Sequence, residues 1–142
     1  MKEVEVPPTL KAEERAFEFD AGLFGFPSDK RFIIMDIPGG GDIFKQMVCL
    51  DRPEVGFTLV NPFAFYADYT PEIPDEEAQE IGASSPEQLV LMTIAIVPEK
   101  QFKESTTNLK APLIFNPHTR KARQVILADE RYSTRHRLFQ VK

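Results

Sequence analysis

Short runs of apolar, β-branched and aromatic residues recur along this chain, which is typical of half-buried β-strands, and residues 15–19 also alternate between the two faces of a strand. Proline and glycine residues end most of these runs, and this punctuation leaves no room for long helices. The fold class predicted is mainly β: an antiparallel β-barrel-like or sandwich single domain with one or two short helices. The predicted strands cover residues 15–19, 31–37, 43–50, 55–60, 89–97, 107–116 (broken by a proline) and 122–127.

The segments between these strands differ in what they predict. Residues 75–81 form the predicted helix, with Asp75 as its N-cap, acidic side chains in its first turn and Gly82 placed to end it. Residues 69–73 are expected to be an edge segment, because Pro71 and the following Pro74 cannot donate to a ladder. Residues 89–97 are apolar on both faces, which predicts a central buried strand. Loops are predicted at 22–27, 38–42 and 117–121, and residues 63–69 form either a helical turn or a loop.

Length and composition narrow the class of protein. The 142 residues are expected to form one domain, 1–142, in which the charged, proline-containing segment 1–14 is a flexible arm, a docked segment or an arm ordered by a partner. One cysteine excludes an intrachain disulfide framework and favours a reducing compartment. The first twenty residues lack the apolar core of a signal peptide, and no run is long enough to span a membrane. We therefore expect a cytoplasmic protein with no membrane partner.

Charge is distributed unevenly along the chain. Residues 1–100 carry eight basic and 19 acidic side chains, whereas residues 101–142 carry nine basic and three acidic ones. An acidic surface repels nucleic acid and attracts basic proteins. The basic end lacks the interleaved aromatic side chains of a single-strand binding platform. We expect no direct binding of nucleic acid, and a solvated helix face remains the simplest interpretation of any single acidic cluster.

No set of residues predicts catalysis. Cys49 lies in an apolar strand and reads as a buried structural thiol, while His136 lies in a basic run. The triple glycine at 39–41 lacks the lysine and hydroxyl residue of a phosphate loop. One cysteine and two histidines cannot form a Cys/His zinc site. We therefore predict a binding module with no enzymatic activity, no cofactor and no metal.

Four stretches resemble one known family. They are GLFGFP at 22–27, VNPF at 60–63, TNLKAPLI at 107–114 and YSTRH at 132–136. In their order and spacing they are similar to the flagellar assembly factor FliW family, and the third stretch followed by the fourth is the most specific part. The resemblance runs from about residue 17 to the C-terminal tail. Residues 1–14 lie outside it, and the turn at 38–42 is richer in glycine than the family pattern.

The resemblance implies a β-barrel-like regulator without catalytic activity that binds two proteins in exchange. One is flagellin, held before its export. The other is CsrA, an RNA-binding regulator that blocks translation of the flagellin message. The alternative is a dedicated chaperone for flagellin or another secreted subunit, with no link to RNA regulation. A small-ligand or enzymatic barrel is a third class, for which no set of residues argues.

Twelve residues are candidates for partner contacts. The acidic helix is expected to face CsrA, because acidic complementarity steers encounter with a basic protein. Exposed phenylalanines would suit the amphipathic segments of flagellin. Several candidates also have a structural alternative. The phenylalanines could occupy core positions, Asn108 could satisfy a strand end, and the tail could pack back through Tyr132. The candidates are Phe24, Phe26, Asn61, Phe63, Asp75, Glu76, Glu77, Glu80, Asn108, Leu109, Tyr132 and Arg135.

Overall fold

The computed structural model describes residues 16–139, so residues 1–14, residue 15 of the first predicted strand and residues 140–142 lie outside the described residues. Within this range there are one α-helix, α1 (Asp75–Glu80), and 3-10 turns at Pro62–Ala64, Pro86–Gln88 and Phe102–Glu104. The strands are β1 (Phe17–Phe19), β2 (Arg31–Asp36), β3 (Phe44–Cys49), β4 (Gly56–Val60), β5 (Val90–Ile96), β6 (Thr106–Thr107), β7 (Leu113–Asn116), β8 (Lys121–Gln124) and β9 (His136–Arg137).

Seven of these strands close into a barrel. Neighbours around the ring are β1, β2, β3, β4, β5, β7 and β8, and the pairing of β8 with β1 completes it. This closing pair is parallel, with Phe19 opposite Ala122, whereas the other strand pairs in the described range are antiparallel. A parallel pair needs a long connection, and most of the chain lies between these two strands. The predicted mainly β, barrel-like fold is confirmed.

Aromatic side chains fill the barrel interior. Phe17 and Phe19 point inward from β1 while Glu18 points out. The Phe19 ring meets the rings of Phe32 and Phe115 edge-on, at centroid distances of 5.5 and 5.8 Å. Such edge-to-face contacts add to the free energy gained by burying the rings.

A second apolar cluster lies between the barrel and the segment that carries α1. It contains Tyr69, Ile81, Leu109 and Ile114. Because β7 also contributes Leu113 and Phe115 to the barrel core, all four of its residues are buried. The prediction that residues 89–97 are buried on both faces is wrong at the ends of β5: the strand is central in its pairing, yet Val90 and Ile96 are exposed.

The acidic segment forms α1, as predicted, and Gly82 ends it. Gly82 adopts a φ of +82°, and the amide of Ala83 donates to the Ala78 carbonyl at 3.0 Å, which is the Schellman arrangement. The N-cap prediction is wrong by one residue, since the cap position is Pro74 and Asp75 is the first helical residue. The Asn116 side chain donates to the Ile81 carbonyl at 2.8 Å and so ties the end of α1 to the barrel.

Two predicted strand segments are loops instead. Residues 69–73 form no strand pairing, and the amide of Tyr69 donates to the Tyr66 carbonyl. Residues 108–112 leave the predicted strand 107–116, because the Asn108 side chain accepts hydrogen bonds from backbone amides in that segment. The last predicted strand ends at Gln124 rather than residue 127. Within residues 16–139, no helix has the length and apolar content needed to cross a membrane.

Candidate functional site

Segments from distant parts of the sequence meet around one surface groove with a volume of about 470 Å³. Phe24, Ile96 and Ile126 give it an apolar wall, and they are 58%, 55% and 59% exposed. Large apolar side chains gathered on a surface mark interaction sites. We call this feature the motif groove, because three of the four family-like stretches line it. Its polar and small lining residues are Thr106, Thr107, Asn108, Lys110, Ala111, Gln124, Thr134 and Arg135.

The loop at 22–27 holds Phe24 outward. Leu23 is buried and forms a bridge with Phe26, whose ring packs edge-on against Phe57 at 5.2 Å. The Phe24 amide donates to Oε1 of Gln124 at 2.9 Å. The two candidate phenylalanines therefore differ: Phe26 anchors the loop on the core, while Phe24 is presented to solvent in the motif groove.

The loop at 108–112 is locked by its own asparagine. Oδ1 of Asn108 accepts hydrogen bonds from the amides of Lys110 at 3.0 Å and Ala111 at 2.9 Å. Leu109 lies in the second apolar cluster, and its carbonyl accepts from the Tyr69 hydroxyl at 2.8 Å. Burial raises the pKa of Tyr69. The structure thus places Asn108 beside the groove with its carbonyl oxygen engaged, and it places the Leu109 side chain in the core, where it supports the groove from below.

The C-terminal tail packs against Tyr69 through Tyr132, and Arg135, three residues further on, is exposed. The Tyr132 ring meets Tyr69 edge-on at 4.8 Å, and its hydroxyl accepts from the Thr70 amide at 3.0 Å. Nε2 of His136 accepts from the Ser133 amide at 2.9 Å, and burial lowers the pKa of His136, so the neutral imidazole makes this bond. Arg135 makes no salt bridge with the described residues.

Asn61 and Phe63 lie at a different cavity, of about 440 Å³, at the end of the barrel. Oδ1 of Asn61 accepts from the Phe63 amide at 3.0 Å and caps the 3-10 turn. Phe63 is partly exposed, and its ring packs against Tyr69 at 5.6 Å. The Phe63 ring therefore contacts Tyr69, which also packs against Tyr132. Neither Asn61 nor Phe63 lines the motif groove.

The acidic helix lies near a second surface depression. A cleft of about 430 Å³ separates residues 72–75 from residues 126–129, and we call it the acidic cleft. Asp75 lines it, while Glu76 and Glu80 are exposed elsewhere on α1. Within the described range none of these three carboxylates forms a salt bridge. Glu77 differs from them, because it is half-buried and pairs with Arg123.

Sequence reasoning did not include Ile126 among the candidate partner contacts. It follows β8 between Val125 and Leu127, which are both buried, so it faces outward. Residues 125–127 are all apolar, so no pattern in the sequence distinguishes Ile126 from its two buried neighbours. Lys110 and Ile96 were also missed, and their place in the groove depends on contacts between distant segments.

The fold and the groove define a class of protein: a small closed β-barrel with an apolar groove built by loops at its surface. The model of the FliW protein family matches residues 5–138 of the chain. The flagellar assembly factor FliW of Symbiobacterium thermophilum is 57% identical over 127 residues, which are 89% of this chain and 91% of that protein. This chain therefore belongs to the FliW family of flagellar assembly factors.

Other comparisons agree with this assignment. The flagellar assembly factor FliW of Syntrophomonas wolfei is 40% identical over 128 residues, covering 90% of this chain and 81% of that protein. A solved structure, described as the crystal structure of the flagellar assembly factor FliW, superposes with a TM-score of 0.84 at 29% identity. It covers 98% of this chain, and 92% of the solved chain is matched. The resemblance seen in the four stretches is confirmed, whereas the expectation that residues 1–14 lie outside the family pattern is wrong for residues 5–14, which the family model also matches.

Proposed function

We propose that this chain is a non-enzymatic, cytoplasmic regulator that binds flagellin and CsrA in exchange, and so relieves CsrA repression of flagellin mRNA translation. One observation carries the proposal: the residues that resemble the FliW family gather around a groove with three exposed large apolar side chains. Single exposed apolar side chains are common on folded proteins, but several of them gathered at one groove mark an interaction site. Neither a cofactor nor nucleic acid takes part in the proposed exchange.

The motif groove suits an amphipathic segment of flagellin. A helix of that kind binds by placing apolar side chains into a hydrophobic groove. Phe24 and Ile96 offer such a surface, and the loop beneath Phe24 is anchored by Leu23 and Phe26. A preformed groove keeps the entropy cost of binding low.

The exposed carboxylates of α1 suit CsrA. An RNA-binding protein presents positive charge to phosphates, and an acidic surface attracts it and opposes RNA at the same place. Asp75, Glu76 and Glu80 are available for this because they form no salt bridge within residues 16–139. Glu77 supports α1 through Arg123 instead.

The exchange is tested with the three purified proteins. The chain is immobilised, flagellin and CsrA are applied separately, and then flagellin is added to the preformed complex with CsrA. We expect each to bind alone and flagellin to displace CsrA. Binding of flagellin without CsrA would establish the dedicated chaperone instead, and failure of both to bind would contradict the proposal.

Charge reversal on α1 is expected to slow association with CsrA. Replacing Asp75, Glu76 and Glu80 with lysine removes the attractive field, so the association rate at low salt should fall by roughly tenfold and lose most of its salt dependence. Stopped-flow or biosensor kinetics at low and high salt measure this. The matched control carries lysine at the exposed positions Asp42, Glu54 and Glu99, with the same change in net charge. Equal slowing in both variants would show that net charge acts rather than α1.

A further inference from the structure

Ile126 lines both the motif groove and the acidic cleft. It forms part of the wall of the motif groove and also one side of the acidic cleft. Its side chain is 59% exposed. The two depressions therefore adjoin at one apolar ridge, formed by Ile126, and a ligand segment that extends from one of them into the other crosses this ridge.

The charges on the two sides of this ridge have opposite sign. The charged side chains that line the motif groove are both basic, Lys110 and Arg135, but Nζ of Lys110 donates to the Asp129 carbonyl oxygen at 3.2 Å, so Arg135 carries the positive charge on this side. Those that line the acidic cleft are all carboxylates: Glu72, Asp75 and Asp129. Arg131 pairs with Asp129, but Glu72 and Asp75 form no salt bridge within the described range. A ligand that crosses the ridge meets positive charge, then apolar surface, then negative charge.

We propose that the motif groove and the acidic cleft form one docking surface for a helical protein segment whose charge reverses along its length. The acidic end of the segment lies at Arg135, its large apolar side chains pack on Phe24, Ile96 and Ile126, and its basic end lies at Glu72 and Asp75. The inference rests on the proposed function in that a partner protein supplies the segment. It adds the chemistry of that segment and the direction in which it binds.

The ridge has the character of a binding hot spot. Energetically dominant residues lie near the centre of an interface, with less important contacts around them. Ile126 has that central place, between the motif groove and the acidic cleft, while the charged residues lie at the two ends of the proposed docking surface. Exposed charge pairs contribute little affinity each, but they favour one orientation over the reverse.

The test uses a labelled synthetic helix with glutamates in its first turn, leucines at three- and four-residue spacing and lysines in its last turn. Fluorescence anisotropy measures its affinity for the wild type, for Ile126→Asp and for the control Ile43→Asp, whose isoleucine is exposed but lines neither groove. Removal of a hot spot predicts about tenfold weaker binding or more for Ile126→Asp, and at most about a twofold change for Ile43→Asp. Equal affinities of the two variants, or no binding to the wild type, would overturn the proposal.

Direction is tested with charge variants. Arg135→Glu and Asp75→Lys should each weaken binding of this helix by about two- to fivefold. The same variants should strengthen binding of a second helix with glutamates and lysines exchanged, and circular dichroism of both helices accounts for any difference in their helicity. If each variant has the same effect on both helices, the proposed direction is wrong.

Flagellin and CsrA are then measured against the same three proteins. If the wild type binds neither of them while the synthetic helix still depends on Ile126, the proposed exchange fails and the docking surface stands. If flagellin and CsrA both bind the wild type, and both partners and the synthetic helix bind the Ile126→Asp variant with unchanged affinity, the docking surface fails and the proposed exchange stands.

Discussion

Replacing Phe19 with alanine should lower the free energy of unfolding by about 3–5 kcal/mol, the cost of deleting a fully buried phenyl ring. Phe19 has no exposed surface and packs edge-on against Phe32 and Phe115 in the barrel. It also lies on β1, whose parallel pairing with β8 closes the ring of strands. The cavity would form at the closing seam, where both strands are short. Chemical denaturation monitored by circular dichroism measures the change.

Phe24→Ala is the matched control, because it removes the same atoms from an exposed position. Surface substitutions of this kind change stability by no more than about 0.5 kcal/mol. A large loss of stability in Phe24→Ala would mean that its side chain is a core residue and not part of an exposed groove. A small loss in Phe19→Ala would contradict the barrel packing described here.

Replacing Gly22 with alanine should cost almost as much, although only a methyl group is added. Gly22 has a φ of +69°, and a Cβ there would lie 2.7 Å from the Cα and the carbonyl oxygen of Pro27. The left-handed backbone costs about 1–2 kcal/mol with a side chain, and displacing packed backbone costs about 1–3 kcal/mol more. Denaturation curves measure the loss, and affinity for the synthetic helix reports whether Phe24 has moved.

Gly25→Ala in the same loop separates the two causes. Gly25 has a φ of +87°, but a Cβ there would have open space around it. This variant should therefore lose only the conformational part, about 1–2 kcal/mol. Equal losses in Gly22→Ala and Gly25→Ala would show that the close approach of Pro27 is relieved at no cost.

The structure supports the proposed exchange and the docking surface in different ways. The exchange depends on family membership and on the exposed residues of α1 and the motif groove. The docking surface depends on Ile126, which lines both depressions. If both are correct, a segment bound across the ridge covers part of the surface next to Asp75, so the two partners compete for some of the same residues.

Local patterns predicted the elements that local physics determines. Strands bounded by turns were predicted at β2, β3 and β4, because β-branched and aromatic residues and turn residues act within a few positions. Gly82 was recognised as the end of α1 for the same reason. The loop at 108–112 was missed, because a side-chain hydrogen bond from Asn108 replaced the strand pairing there.

The burial of individual strands could not be read from the sequence. Residues 89–97 are apolar except for Thr93, and yet Val90 and Ile96 are exposed, whereas β7 is buried on both faces. The difference arises because the segment with α1 covers the outside of β7, a contact between residues far apart in sequence. An apolar run shows that a strand can be buried, but the layer that covers it decides whether it is.

The sequence by itself determined the β class, the acidic helix, the glycine turns and the family resemblance, since each depends on residues close together or on a pattern of motifs. Only the tertiary structure decided that β1 pairs parallel to β8, that three motifs surround one groove and that Ile126 joins this groove to the acidic cleft. Those arrangements depend on long-range contacts, whose entropy cost is repaid only when the whole barrel closes.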